Sequence, residues 1–268
     1  MNQTEVLIER EGYIGYVTLN RPEKLNALTM KMYSLVRDAM DVLEDDDSIR
    51  VIILRGKGKA FSSGYDLNDQ GGTDHVEIRR VFERIANAAR HKIWSHPKPT
   101  IAQIHGYCLG GAHDLALACD IAIASEDAKL GVPEIKFGGG AAFLLMPWVL
   151  GLRKTKELLL TGQTISGHEA AQIGLVNYAV PAQDLEKKVL SMAKELALIP
   201  TPAMQLQKRG INRAIEISGF TAAQEVWLDS ITLGSLWRSP EGDEFNRIAR
   251  EQGVKHALRW MEESYSKK

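Results

Sequence analysis

The sequence predicts an α/β fold with parallel strand pairing that gives way to helices alone in its last quarter. Three observations carry that prediction. Residues 51–54, Val-Ile-Ile-Leu, are an uninterrupted apolar run of strand length, the pattern of a strand buried on both faces of a parallel sheet. Over the first half of the chain such runs alternate with apolar residues at helical spacing, through short connections, which is the order of a βα sheet. Past Pro200 and Pro202 the helical spacing continues and no strand pattern returns.

Each element follows from the local pattern. Residues 6–8 and 13–19 are short, β-branched and aromatic, with Glu11-Gly12 as the hairpin turn between them. Leu28, Met32, Leu35, Ala39 and Leu43 predict an amphipathic helix over 29–45, closed by Asp45-Asp46-Asp47-Ser48. A loop at 56–69 precedes a long helix over 74–95, ended by His96-Pro97-Lys98-Pro99. Strands are expected at 100–104 and 120–124, with a short helix at 110–118 between them and a short strand at 129–132 before Pro133. Helices follow at 141–150, 153–161, 167–172 and 182–197, with 175–180 as a last extended piece. The stretches 203–217, 221–238, 240–251 and 254–265 are then helical. They carry Trp227, Trp237 and Trp260, which either meet a partner subunit or cover the chain's own core. The expected organisation is a core over 1–198 and a helical region over 199–268.

Composition excludes several classes. With 33 basic against 34 acidic side chains and no basic block, the chain has no electrostatic footprint for nucleic acid. Cys108 and Cys119 are the only cysteines, eleven positions apart in an apolar segment, so neither a disulfide framework nor a zinc site is expected, and no metal. The longest uncharged run, 137–152, is broken by Gly138-Gly139-Gly140 and Pro147 and is shorter than the ~20 residues a membrane span needs. No basic and apolar leader is visible at Met1-Asn2-Gln3, so a cytoplasmic protein is expected.

The chemistry concentrates in residues 106–134. Gly110-Gly111 stands where a strand passes into a helix, and backbone N–H groups at a helix start favour negative charge. The alternative is close packing of two backbones. Residues 61–66, Phe-Ser-Ser-Gly-Tyr-Asp, follow the strand ending at Leu54 and fall on the same, carboxyl side of a parallel sheet. The N–H of Tyr65 after Gly64 supplies a second donor, and two such donors suit an enolate oxygen. Asp114 lies on the first turn of the helix and Glu134 follows Pro133 between Val132 and Ile135. Two carboxylates converging on one site divide their proton affinities into an acid and a base. Read structurally, Asp114 would only complement the helix start and Glu134 would be solvated. A competing pattern is Gly106-x-Cys108-x-Gly110, the form of a nucleophile elbow, with Asp120 or Asp184 and His168 or His256 to complete a triad. His113 beside Asp114 points to another helix face and reads as a surface or packed histidine.

Taken together, these residues resemble the crotonase family, the enoyl-CoA hydratases and isomerases. The likeness rests on residues 19–28, 60–67, 98–106, the glycine–Asp114–Cys119-Asp120 block, Gly131-Val132-Pro133-Glu134, and 159–176. The resemblance implies a ββα spiral core over 1–198 and helices over 199–268 that build a homotrimer or homohexamer. It implies an acyl-CoA thioester substrate, with coenzyme A arriving as part of the substrate and no further cofactor. By position, the N–H groups of Tyr65 and Gly111 form the oxyanion hole. Lys24, Leu25, Ala27, Ser63, Asp66, Leu67 and Gly110 lie along the substrate, and Glu134 and Asp114 are the catalytic pair. The family's hydratases carry glutamate at both positions. Aspartate here is a methylene shorter, roughly 1.3–1.5 Å of reach, and 135–145 lacks the hydratases' usual glycine-threonine-rich stretch. Reversible hydration of a 2-enoyl-CoA is the leading expectation. Double-bond isomerisation and hydroxycinnamoyl-CoA hydratase-lyase chemistry are the alternatives, with a non-catalytic acyl-CoA binder as a rival of another class. Residues 69–95, Phe143, Trp148 and the C-terminal helices are expected to set the depth of the acyl pocket.

Overall fold

The apolar run at 51–54 is the middle of the molecule because both of its faces are covered. In the computed structural model, which describes residues 4–67, 69, 79–236 and 239–266, β3 (Val51–Gly56) lies inside a six-stranded sheet. The sheet order is β1 (Val6–Glu11), β2 (Ile14–Leu19), β3, β4 (Thr100–Ile104), β6 (Ile121–Ser125) and β9 (Tyr178–Val180). Only the β1–β2 hairpin is antiparallel. Alternation along β3 sends Ile52 and Leu54 into one core, with α1 (Met30–Glu44), and Val51 and Ile53 into another, with α6 (Leu185–Leu198).

A second sheet of three short strands stands beside the first: β5 (Tyr107–Leu109), β7 (Lys129–Gly131) and β8 (Thr164–Ser166). Neither β5 nor β8 follows from the sequence, since three residues are too few to show a period. Their pairing matters to the site. The register Leu109↔Gly131 brings the chain before Gly110 alongside the chain before Glu134.

Helix α1 is capped by Thr29, whose hydroxyl accepts from Met32 N, and it buries Met32, Tyr33, Val36, Met40 and Leu43. The described part of the predicted 74–95 helix begins at 79 and makes a π-helical turn over Phe82–Asn87 before α2 (Ala88–Ser95). Helix α3 (Gly111–Leu117) follows β5. The predicted helices 141–150 and 153–161 are instead one element, α4 (Met146–Thr161), broken at Gly151 with φ +72. It starts late for a clear reason. The Ala142 and Phe143 N–H groups donate to Asp114 Oδ2, and Leu144 N–H to Gln224 Oε1, so this stretch is held by distant side chains before the helix begins at Met146.

Beyond α5 (Gly167–Gln172) and α6 come α7 (Thr201–Ile215), α8 (Thr221–Leu236), α9 (Pro240–Gln252) and α10 (Val254–Ser266). Trp227 and Trp260 pack on their own chain: Trp227 Nε1 donates to Ala141 O at 2.5 Å, and Trp260 joins the cluster of Phe245, Ile248, Ala257 and Met261. Trp237 lies outside the described residues. No helix among the described residues is long and apolar enough to cross a membrane.

Candidate active site

Three stretches of chain lie side by side at the carboxyl ends of the strands. Residues 25–28 run along 63–66 through Ser63 N–H to Leu25 O (2.9 Å), Leu28 N–H to Gly64 O (2.8 Å) and Asp66 N–H to Leu28 O (2.9 Å). Residues 62–64 in turn run along 107–110, with Ser62 N–H on Tyr107 O at 2.8 Å and Leu109 N–H on Ser62 O at 3.2 Å. Gly64, at φ +97, approaches so closely that a Cβ there would stand 2.7 Å from Leu109 O. The loop at 21–27 is pinned from behind. Asn26, buried, donates its amide to Lys57 O, Ala60 O and Phe61 O, and Arg21 pairs with Asp66 at 3.1 Å.

This weave leaves two N–H groups unspent. The ladder hydrogen bonds on either side of Tyr65 are made by its neighbours, and Gly110 N–H is used on Gly131 O; neither Tyr65 N–H nor Gly111 N–H donates to a partner among the described residues. The two residues are in contact, because a Cβ on Gly111 would overlap the Tyr65 ring and the Tyr33 hydroxyl.

Glu134 reaches the same place from the 3₁₀ turn Pro133–Phe137. Its carboxylate lies so tightly against Gly110 that a Cβ there would overlap it, and Gly110 sits at φ +51, a region that already favours glycine. Burial pushes the Glu134 carboxyl up to about 8, with Asp114 adding to the effect. Glu134 Oε2 is buried and has no hydrogen-bond partner among the described residues. It is therefore not the solvated carboxylate of the structural reading.

Asp114, 1% exposed, sits on the first turn of α3. Its Oδ2 accepts from Ala142 N–H at 2.9 Å and Phe143 N–H at 3.2 Å, and Oδ1 is left without a partner. Burial raises this carboxyl to about 6, against the pull of Arg90 and of the two N–H groups. Near neutral pH Glu134 is therefore mostly the neutral acid and Asp114 mostly the anion. The helix start is not the main partner of Asp114; the loop at 142–143 is.

Arg90 is the residue that sequence reasoning missed. It is fully buried, donates to the hydroxyls of Tyr33 (3.0 Å) and Tyr65, to Asn87 Oδ1 (2.6 Å), and stands 3.7 Å from Asp114 Oδ2. The signal was present. Ala86, Ala89 and Ile93 mark the buried stripe of this helix, and Arg90, four after Ala86 and three before Ile93, falls on it.

A cavity of about 470 Å³ opens over these groups. It is lined by Lys24, Leu25, Ala27, Ser63, Tyr65, Asp66, Leu67 and Glu134, and closed by Val254, Leu258 and Glu262 of α10. It thus unites most of the residues singled out along the substrate, while Gly110, Gly111 and Asp114 stand behind its wall. Phe143 and Trp148 do not line it: both pack on Phe220, and Phe143 is fully buried. Of residues 69–95, those at 70–78 lie outside the described residues. A larger cleft, about 600 Å³, between Ser95–Pro97 and α7 holds neither carboxylate.

The nucleophile-elbow alternative fails on the same geometry. Cys108 is fully buried and its thiol is pushed well above the usual range by burial. Asp120 is engaged with Thr100 and Lys208, and His168 with Gln172, so neither is bonded to Cys108. His113 is buried and held neutral, its pKa lowered by burial to about 4.

Fold and site together place two unspent backbone N–H groups, of Tyr65 and Gly111, near two carboxyl groups whose proton affinities burial raises to different extents. Residues 9–229 match the model of the enoyl-CoA hydratase/isomerase family. A probable enoyl-CoA hydratase of Mycobacterium tuberculosis is 37% identical over 223 residues, covering 81% of this chain and 85% of the relative. The hydroxycinnamoyl-CoA hydratase-lyase of Pseudomonas fluorescens is 32% identical over 260 residues, covering 94% and 91%. Among solved structures, an enoyl-CoA hydratase/isomerase from Xanthobacter autotrophicus Py2 superposes with a TM-score of 0.92 at 37% identity, over 96% of this chain and 97% of that one. The chain belongs to the enoyl-CoA hydratase/isomerase family, with the crotonase fold.

Proposed function

We propose that the protein hydrates a 2-enoyl-CoA reversibly. The observation that carries this reading is the pair of buried carboxyl groups poised on either side of neutrality, Glu134 at about 8 and Asp114 at about 6, each with one unpartnered oxygen. The thioester oxygen lies between the N–H groups of Tyr65 and Gly111, which stabilise the enolate as charge develops on it; each such donor is worth on the order of 3 kcal/mol in a dry site. Asp114 Oδ1 takes a proton from water as its oxygen bonds to Cβ. Glu134 gives its proton to Cα as the enolate collapses. The sum is water added across the double bond; the proton taken up by Asp114 then passes to Glu134, the more basic carboxylate, and restores the starting state, and no further cofactor enters. Coenzyme A runs along Lys24, Leu25, Ala27, Ser63, Asp66 and Leu67, a reading supported by the cavity these residues line, whereas Gly110 is not among the lining residues.

Isomerisation is the second reading, favoured by one observation: Asp114 Oδ2 is already committed to two N–H groups and faces Arg90, which leaves Glu134 the freer shuttle. Turnover of crotonyl-CoA in H₂¹⁸O decides the matter. Hydration places label in the acyl chain; a shifted double bond without label points to the isomerase, and no reaction at all to a binder. Asp114→Ala separates the two again, since it costs as much as Glu134→Gln only if a water must be activated.

The reading carries with it a cytoplasmic homotrimer or homohexamer joined through residues 199–268. Supporting it, Leu206, Ile217, Val226 and Leu233 are 64–76% exposed in this region.

A further inference from the structure

Arg90 takes no part in the chemistry above, yet it is the costliest side chain in the core. Carrying a guanidinium out of water costs several kcal/mol unless its partners are well placed. The face it shares with Ala86, Ala89 and Ile93 would pack as well around a leucine or methionine. It follows directly on the π-helical turn at Phe82–Asn87, a conformation that proteins retain mostly at functional places. Its partners are those of the site: the hydroxyl of Tyr65, a residue that lines the cavity; the hydroxyl of Tyr33, which abuts Gly111; and, at 3.7 Å, the carboxylate of Asp114. The guanidinium also stands over both rings, 5.0 Å from the Tyr33 centroid and 5.7 Å from that of Tyr65.

We propose that Arg90 is the positioning residue that makes aspartate workable at this place: its charge keeps the buried Asp114 carboxylate ionised, and its guanidinium, anchored through Nη1 on Asn87, holds Tyr33 and Tyr65 through Nη2 against Gly111. The short arm of Asp114 is held at Oδ2 from two sides, by the 142–143 loop and by Arg90, so Oδ1 alone is free. The other titratable groups felt around Asp114 are Tyr33, Tyr65, Cys108 and Glu134, all raised by burial and so uncharged or mostly so at neutral pH. Arg90 is then the cation that opposes the desolvation of Asp114.

The proposal rests on Asp114 acting as the base, and its test is made separable from that reading. The Asp114 carboxyl is titrated by infrared difference spectroscopy on ¹³C-aspartate-labelled protein, its band identified by loss in Asp114→Asn; no turnover is needed. Arg90→Met is expected to move the midpoint up by about one unit or more. The acidic limb of the kcat profile for crotonyl-CoA moves with it, kcat falls about tenfold or more, and KM stays within about threefold. Arg90→Lys, with a cation but no fork, falls between wild type and Arg90→Met in midpoint and loses kcat. An unmoved midpoint in Arg90→Met, or a loss of activity equal at all pH values, overturns the proposal. Should Arg90→Met not fold, Arg90→Lys decides: wild-type midpoint and wild-type kcat together overturn it. A shifted midpoint in a protein without hydratase activity would instead leave Arg90 in its role and remove the reading of the reaction.

Discussion

Two clusters of charged side chains among the described residues are drawn out of water, and they are built differently. At the amino ends of the strands, Lys98 Nζ donates to the carbonyls of Leu43 (2.6 Å), Glu44 (2.9 Å) and Asp46 (2.7 Å), closing the end of α1. Lys208 pairs with Asp120 at 2.7 Å, and Asp120 also accepts from the N–H and hydroxyl of Thr100. At the carboxyl ends, Arg90 and Asp114 are more fully removed from water than the Lys208–Asp120 pair, yet Arg90 Nε, Asp114 Oδ1 and Glu134 Oε2 have no partner among the described residues. Unmet hydrogen-bonding capacity in a buried site is costly, and a protein that tolerates it is holding it for something else. The comparison teaches that completeness of hydrogen bonding, rather than burial alone, separates a structural charge from a working one.

Glu134→Gln tests that distinction where the effect is largest. General acid catalysis of this kind contributes about 10²–10⁴-fold, so kcat is expected to fall at least about a hundredfold. Stability should move the other way. Between pH 4.5 and 8 the folded chain keeps a proton on Glu134 that the unfolded chain has released, so wild type loses stability as pH rises through that window, in full by pH above 8. The glutamine variant lacks this loss and should melt higher than wild type at pH 8.5, with little advantage at pH 5. Melting curves that keep the same offset at both pH values would place Glu134 among the structural charges.

Gly110→Ala reaches the same carboxyl through the backbone. A methyl group there collides with Glu134 and must occupy φ +51. Displacement of a catalytic group by about 1 Å can cost on the order of a hundredfold, and the strain adds about 1 kcal/mol or more of lost stability. A variant that retains turnover within about twofold would show that the position of Glu134 is not set by Gly110.

Lys208→Met addresses the other charged cluster. Removing one partner of a buried pair costs about 3–5 kcal/mol; Asp120 is 22% exposed, so about 2–3 kcal/mol is expected here, some 5 °C in melting temperature for a chain of this size. Turnover per folded molecule should stay within about twofold. A kcat loss exceeding the loss of folded protein would join the two clusters functionally and undo the contrast.

How much of this was legible beforehand follows from the range of each interaction. The central strands and α1 were readable because burial on two faces, or on one, writes a period into consecutive residues. That Tyr65, Gly111, Asp114 and Glu134 come near one another was expected because glycines at a strand–helix junction and a carboxylate in apolar context are local signals, and the family resemblance set them in order. The strands at 107–109 and 164–166 were not, being too short to show alternation. Nor was the late start of α4, which depends on Asp114, twenty-eight positions before Ala142. The closing of the cavity by Val254 and Leu258 is likewise a contact between ends of the chain that share no pattern. Arg90 stood between these cases: its place on the apolar stripe was local, but its partners were not.

The smallest expected effect belongs to Cys108, and it is informative because it is small. The residue sits between the glycines of the site and so looks like a nucleophile in sequence, yet it lies on β5 facing the core with no exposure. Thiolate formation there is opposed first by burial and then by Cys119 and Asp114, which hold the thiol well above its usual range. Cys108→Ala removes a small buried group and is expected to cost about 1 kcal/mol, with turnover unchanged within about twofold. The native protein should also resist a charged thiol reagent until it unfolds. Rapid inactivation of the folded enzyme by such a reagent, protected by acyl-CoA, would return Cys108 to the site and make satisfied packing a poor guide to inert residues.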